Sequence, residues 1–312
     1  MHILLCGSFD DSERDDWLQA LQNAFPDAHW HFSVDPLSAA QIEVAVVANP
    51  LPGSLQGLPR LRLIQSLWAG VDRLMSDACL PADVPVARMV DPAMNRAMAE
   101  TALWAVLSLH RGFFRYVAQQ RERLWRQWPQ KRADELQVTV LGLGQMGHGT
   151  AQRLATQGYR VAGWAARHRA ADPLIEILSG QEVLHPLLGR SDIVINLLPL
   201  TPLTEGLFDE DFFNAMKPGA ALVNLARGAH VIDADLLRAL ESGQVSHAVL
   251  DVMSQEPLPE DHPYWRHSRV TLLPHIAAIT DTRSAAGVVA KNLAALRDGK
   301  PLANLVHKEL GY

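Results

Sequence analysis

Only two cysteines occur in the 312 residues, Cys6 and Cys79. Two are too few for a disulfide framework, and they lack the paired spacing of a zinc site, so a reducing compartment and no bound metal are expected. Cys6 sits inside the apolar run ILLCG and reads as a small buried hydrophobe rather than a reactive thiol. No run of Lys or Arg stands out against the net charge of −6, which removes the electrostatic footprint of a nucleic-acid or anionic-membrane binder. Nor does any stretch approach eighteen uninterrupted apolar residues, and the N-terminal MHILLCGSFDD has no basic region and too short an apolar run for a signal peptide. The expectation is a cytoplasmic protein that is neither exported nor membrane-spanning. Long internal repeats and low-complexity tracts are also missing, which excludes a solenoid.

What is present suits a globular protein. Hydrophobic residues make up 48% and charged residues 20%, enough to bury a real core. The length favours two domains, and two domains imply a cleft in which a small anionic substrate is held by local groups. Apolar runs at His2–Leu5, Val44–Ala48 and Leu61–Leu67 read as buried parallel strands. Between the first two, Trp17, Leu18, Leu21 and Phe25 recur at helical spacing, with Asp15 and Asp16 suited to the helix N-terminus. A long helix is predicted from about Asn95 through Met98, Ala102, Val106 and Leu109 to Phe113, continuing less regularly to Trp125 and ended by Pro129. Trp125 and Trp128 read as packing aromatics at an interdomain or subunit contact rather than as a ligand platform.

From Gln137 the pattern alternates. Strands VTVLG, YRVAGW, DIVINLL, AALVNLA, HAVLDV and VTLLP are separated by predicted helices at Met146–Gln157, a short connecting segment and Asp233–Ser242. Such alternation gives a doubly wound parallel sheet, and the last helix, Asp281–Asp298, returns the chain to the first domain. The fold class is α/β, with two Rossmann-like doubly wound parallel-sheet domains and a cleft between them.

Gly142, Gly144 and Gly147 form G-x-G-x-x-G directly after a strand and at the start of a helix. The first glycine permits a tight turn, the second lets backbone approach a pyrophosphate, and the third lets helix and strand pack closely. The N–H groups of Gln145 and Met146 would then face phosphates at the positive helix end. About twenty residues on, an NAD enzyme places an acid on the ribose hydroxyls. Here the sequence reads Trp164-Ala165-Ala166-Arg167-His168-Arg169, with no acid. Arg167 and Arg169 put positive charge where a 2′-phosphate would lie, which argues for NADPH (NADP⁺), with NADH weaker. The competing reading is a loop of solvated surface arginines.

Three further segments, NLARGAHVIDADLL, LDVMSQEPLP and LLPHIAAIT, each follow a predicted strand, and ligands of open parallel sheets bind at those ends. They resemble the D-2-hydroxyacid dehydrogenase family, whose patterns approach N-x-x-R-G-x-x-V-[DE], D-V-x-x-x-E-P-L and P-H-x-A. The resemblance extends to LWAGVD around Gly70, to Ala99-Glu100-Thr101, to LLPLTPLTEGL and to the ending LGY. It covers almost the whole chain, and length and spacing look most like the bacterial glyoxylate/hydroxypyruvate reductase A branch. That resemblance implies NADPH-linked reduction of glyoxylate and hydroxypyruvate. It places the carboxylate-binding arginine on Arg227, the acid that orients histidine on Glu256, and the proton donor on His275. A planar guanidinium fork suits a carboxylate and its neighbouring carbonyl, and a carboxylate beside an imidazole stabilises the imidazolium that donates the proton.

The family pattern also implies that backbone N–H groups at Ala69 and Gly70 hold the substrate carboxylate, a role that suits a glycine-containing anion nest. It puts Leu198 and Pro199 on the adenosine side of the cofactor and Asp251 on the nicotinamide carboxamide. Trp68 departs from the smaller residue expected there, and either packs behind the pocket or narrows it. The implied domains are 1–97 plus 283–312, a flavodoxin-like substrate-binding domain, and 98–282, a dinucleotide-binding Rossmann domain. The implied partners are a small 2-keto acid and a second copy of the chain through the long helix and the Trp125–Trp128 arm. Two alternatives stand beside this: a nucleotide-sensing interaction protein on the same fold, since related co-repressors exist, and a family member with another keto-acid preference. Formate dehydrogenase is disfavoured because Glu256 is a carboxylate rather than an amide, and the longer phosphoglycerate dehydrogenases because no residues remain for their regulatory domain.

Overall fold

The computed structural model describes residues 1–311, and Tyr312 of the LGY ending lies outside the described residues. The chain forms two compact units, one of Met1–Met94 with the residues from Thr280 onward, the other of Asn95–Ile279.

In the first unit the chain runs β1 (His2–Gly7), α1 (Asp11–Ala24), β2 (His29–His31), α2 (Pro36–Ala39), β3 (Val44–Ala48), β4 (Leu63–Ser66), α3 (Asp72–Met75) and β5 (Val86–Ala87). All five strands are parallel, in the order β2-β1-β3-β4-β5. This is the flavodoxin-like order, in which the strands reverse direction of addition between β1 and β3. Every residue of β3 is buried, as a central parallel strand requires. The first helix starts earlier than the acidic pair at 15 and 16 suggests. Asp10 caps it, accepting from the Glu13 N–H at 2.8 Å, so Asp15 and Asp16 fall inside the helix rather than at its entrance.

The second unit takes α4 (Pro92–Arg111), which begins in the first unit, then α5 (Phe113–Arg121), β6 (Gln137–Leu141), α6 (Gln145–Thr156), β7 (Arg160–Ala165), β8 (Glu176–Ser179) and α7 (Leu184–Leu188). It continues with β9 (Ile193–Asn196), α8 (Glu210–Ala215), β10 (Ala220–Asn224), α9 (Asp233–Ser242), β11 (Val245–Leu250) and β12 (Val270–Leu272). Helix α10 (Thr282–Arg297) then returns to the first unit, where Asn292 donates to Gln65 of β4 at 2.8 Å. The seven parallel strands run β12-β11-β10-β9-β6-β7-β8. Val138 and Val140 of β6 face one core while Leu141 faces the other, and β9 and β10 alternate in the same way, so both faces are buried. The predicted long helix is two helices. Gly112, at φ 71°, breaks it, because a left-handed glycine ends a helix without steric cost. The second helix stops at Arg121, before Trp125.

Candidate active site

Strand order reverses between β6 and β9, and the glycines of the G-x-G-x-x-G loop lie there, at the switch point of the sheet. Gly142 has φ 95°, and a Cβ on it would meet the Leu197 carbonyl oxygen at 2.5 Å. A Cβ on Gly147 would stand 1.7 Å from the Gly142 oxygen, so the first turn of α6 is packed directly onto the loop. Gly144 differs: it caps α6, is exposed, and a Cβ there would meet nothing within 4 Å. The opening therefore lies where the unpaired N–H groups of Gln145 and Met146 begin the helix, a cradle that fits a diphosphate. Leu198 is buried and Pro199 half-buried at the end of β9. Beyond β7, Arg167, His168 and Arg169 are exposed.

A buried polar network supports the ends of β9 and β10. Asn196, Asn224 and His230 are fully buried. The Asn196 side-chain amide donates to Asn224 Oδ1 at 3.0 Å and meets His230 Nδ1 at 2.8 Å, while its oxygen accepts the Leu198 N–H at 3.1 Å. Asn224 Oδ1 also accepts the Ala226 N–H at 3.2 Å, and its Nδ2 donates to the Arg227 carbonyl at 2.9 Å. Buried polar groups satisfied this way fix one backbone path, so both the Leu198–Pro199 turn and the Arg227 turn are held by the same three side chains. Arg227 is half-buried and its Nη1 donates to the Ala226 carbonyl at 2.6 Å. Gly228 follows, and a Cβ there would lie 1.8 Å from the Met253 carbonyl carbon. Only glycine permits this approach, which presses the Arg227 turn against the loop that carries Glu256.

Glu256 is positioned at both oxygens. Oε1 accepts the Met253 N–H at 2.9 Å, and Oε2 lies 2.7 Å from His275 Nδ1. The loop around Glu256 is tied to the start of α9, where Asp233 accepts from Ser254 Oγ at 3.0 Å and from the Tyr264 hydroxyl at 2.9 Å. Burial first, and then the charge of Asp233, pushes the Tyr264 phenol well above its ordinary value, so it stays a donor. His275 is a non-glycine residue at φ 56°. That conformation persists only where the surroundings over-determine it, and Asp251 does so. Its backbone oxygen accepts the His275 N–H at 2.8 Å, and its two carboxylate oxygens accept the Ile276 and Ala277 N–H groups at 2.7 and 3.0 Å. Thr101 of α4 donates to the Ala277 carbonyl at 2.9 Å.

Ala69 and Gly70 belong to the first unit, half-buried between β4 and α3. Ser66 Oγ accepts the Trp68 N–H at 3.0 Å and shapes the start of that loop. The Trp68 ring packs edge-on against buried Trp17, with centroids 6.2 Å apart. Asn196 and His230 carried no expectation, and Asn224 and Gly228 entered only as the Asn and Gly of the N-x-x-R-G pattern, with no role of their own. The available signal was a polar Asn closing each of two otherwise apolar strands. Among the described residues no group of three or more His, Cys, Asp or Glu is arranged to hold a metal ion, and no helix is long and apolar enough to cross a membrane.

Residues 103–277 match the family described as D-isomer specific 2-hydroxyacid dehydrogenase, NAD binding domain. The glyoxylate/hydroxypyruvate reductase A of Serratia proteamaculans is 38% identical over 317 residues, covering 100% of both chains. The chain belongs to the D-2-hydroxyacid dehydrogenase family. Its place in that family is on the glyoxylate/hydroxypyruvate reductase A branch, and it is an oxidoreductase. Among solved structures, a D-isomer specific 2-hydroxyacid dehydrogenase from Xanthobacter autotrophicus Py2, in complex with NADPH and MES, aligns with a TM-score of 0.94 at 35% identity, covering 100% of this chain and 99% of that one. An NADPH-dependent glyoxylate/hydroxypyruvate reductase from Sinorhizobium meliloti, in complex with NADP and sulfate, aligns at 0.91 and 31% identity with the same coverage.

Proposed function

We propose that this dehydrogenase reduces small 2-keto acids with NADPH, converting glyoxylate to glycolate and hydroxypyruvate to D-glycerate. The observation that carries the reading is the pair His275 and Glu256, 2.7 Å apart at the strand ends of the sheet that also bears the glycine loop. Because Nδ1 is engaged by Glu256, the proton His275 delivers is the one on Nε2. The chemistry the cofactor would supply when bound is a hydride for the carbonyl carbon. His275 protonates the carbonyl oxygen as it becomes an alkoxide, and Glu256 holds the ring and balances the imidazolium charge. Arg227 presents its planar fork to the substrate carboxylate and adjacent oxygen, fixing which carbon faces the cofactor.

The first unit serves as the substrate domain, with the N–H groups of Ala69 and Gly70 on the carboxylate, and the second as the dinucleotide domain. Gly142, Gly144, Gln145, Met146 and Gly147 take the diphosphate, Leu198 and Pro199 flank the adenosine, and Arg167 and Arg169 meet the 2′-phosphate. Asp251 anchors the His275 turn through both oxygens and, with its remaining lone pairs, reaches the nicotinamide carboxamide. The protein works in the cytoplasm as a homodimer. Support for the dimer comes from exposed large apolar side chains on α4, α5 and the segment after them: Trp104 is 41% exposed, Phe113 52%, Val117 47% and Trp125 96%. Trp128 has a different setting, with the Arg115 and Arg126 guanidiniums over its ring at 4.3 and 4.2 Å and its indole N–H on Gln119 at 2.6 Å.

The test is a set of initial rates with NADPH and NADH against glyoxylate, hydroxypyruvate, pyruvate and phenylpyruvate. Glyoxylate and hydroxypyruvate should give the highest kcat/KM, with NADPH preferred about tenfold or more over NADH. A highest kcat/KM for phenylpyruvate would overturn the substrate assignment, and sedimentation as a monomer at micromolar concentration would overturn the dimer.

A further inference from the structure

We infer that Asp172 is a positioning residue for cofactor selectivity, clamping the Arg167–Arg169 loop to helix α6 so that its guanidiniums are presented to a 2′-phosphate. This rests on the reading above that those arginines meet that phosphate. The loop leaves the sheet after Ala165 and rejoins it at Glu176, and residues 166–171 are all exposed. Two attachments hold it. Near its start, Ser179 Oγ donates to the Arg167 carbonyl at 3.1 Å. Near its end, Asp172 Oδ2 accepts from both His148 Nε2 and Gln152 Nε2 at 3.0 Å, and Oδ1 accepts the Leu174 N–H at 2.8 Å. A bridge between Asp172 and buried Ile175 seats the turn on the core.

His148 and Gln152 are four residues apart on α6, so one helix face offers two donors to one carboxylate oxygen. The Asp172 side chain is 8% exposed, against 42% for His148, so the carboxylate is turned inward at the helix rather than outward at the arginines. An aspartate beside a phosphate would ordinarily repel it. Here its charge is committed to three donors: the Leu174 N–H above all, then Gln152 and His148, hold the carboxyl below the usual carboxylate range against the opposing effect of burial.

Helix α6 is also the element whose N-terminus carries Gly144, Gln145 and Met146. The clamp therefore ties the arginine loop to the same rigid body as the diphosphate cradle and fixes the spacing between the two phosphate positions. Without it, the loop must be ordered when the cofactor binds. That ordering cost falls on NADPH, whose 2′-phosphate needs the arginines, and not on NADH, which lacks the group.

The test uses Asp172→Ala in the full-length enzyme, with glyoxylate as substrate. KM for NADPH should rise about tenfold, while kcat and the constants for NADH stay within about twofold. Inhibition by adenosine 2′,5′-bisphosphate should weaken in parallel, and inhibition by 5′-AMP should not. A general structural lesion would lower kcat and NADH use as well. The double variant His148→Ala/Gln152→Ala removes the donors from the helix side without touching the loop, and should change the NADPH to NADH ratio in the same direction. If the wild type discriminates and both variants keep its ratio, the clamp is refuted while the arginine assignment stands. If the wild type does not discriminate at all, the arginine reading falls and the inference falls with it.

Discussion

The turn after β12 and the loop after β7 both leave C-terminal strand ends of one sheet, yet they are built differently. His275 sits in a left-handed conformation, with its own N–H and the next two all bonded to Asp251, its ring bonded to Glu256, and the end of the turn bonded to Thr101. Arg167 and Arg169 ride on an exposed loop held at two places, with guanidiniums that stand in water. The difference follows from the demands of the two jobs. Proton transfer needs heavy atoms within hydrogen-bond reach and a defined ring face, so the backbone beneath the ring has to be over-determined. Attraction between a guanidinium and a phosphate falls off gradually with distance, so a loop fixed at its ends suffices.

On this contrast, the largest loss comes from the pinned turn. His275→Ala should lower kcat about 10²–10⁴-fold while leaving NADPH binding nearly intact, measured by rates and by cofactor fluorescence titration. Glu256→Gln keeps an acceptor for Nδ1 and should lose less. A His275→Ala enzyme with most of its activity would remove the proton donor from the scheme. Next in size, Asp251→Ala strands two N–H groups and releases the strained residue. Chemical denaturation should report a stability loss of about 2–4 kcal/mol, together with a fall in kcat. An Asp251→Ala enzyme of wild-type stability would mean that the turn does not depend on this anchor.

On the looser loop, substitutions should redirect rather than destroy. Ala165→Asp with Arg167→Ala restores an acid for the ribose hydroxyls and removes a phosphate partner, so the NADPH preference should erode or reverse by about tenfold while KM for glyoxylate holds. An unchanged preference would reduce these arginines to solvated charge.

At neutral pH the smallest expected effect is that of a residue on β11, whose contribution changes only on acidification. His247 of β11 stacks on Phe114 with centroids 4.6 Å apart and meets Thr271 Oγ1 at 2.9 Å. Burial, and then the positive charges of His267 and Arg269, push its value down from 6.5 to about 4. A base with a depressed folded value is bound by protons more readily in the unfolded chain. Its contribution is therefore complete above the unfolded value near 6.5 and is lost as the pH falls toward about 4, by at most about 3 kcal/mol. Denaturation curves at pH 7 and pH 4.5 should show a smaller acid loss for His247→Gln than for wild type. Equal losses would mean that His247 titrates as it does in the unfolded chain.

Much of this molecule is legible in the order of its residues, because continuous apolar runs, a glycine triplet and an Arg, a Glu and a His after strands are local patterns with local causes. Parallel strands buried on both faces announce themselves as apolar runs, which is why β3, β6, β9 and β10 are evident. Of the edge strands, β12 shows itself as VTLLP, while β2, β5 and β8 are not evident, since they owe their state to the neighbour they pair with rather than to their own composition. The break at Gly112 escapes the helical periodicity because apolar spacing resumes on the far side of it. What only the tertiary structure decided are the relations between distant segments. Gly228 sits against Met253, Asp251 under residues 275–277, Asn196 between Asn224 and His230, and Asp172 on the face of α6. Each depends on where a second stretch of chain arrives, and a sequence does not contain that position until both stretches are folded.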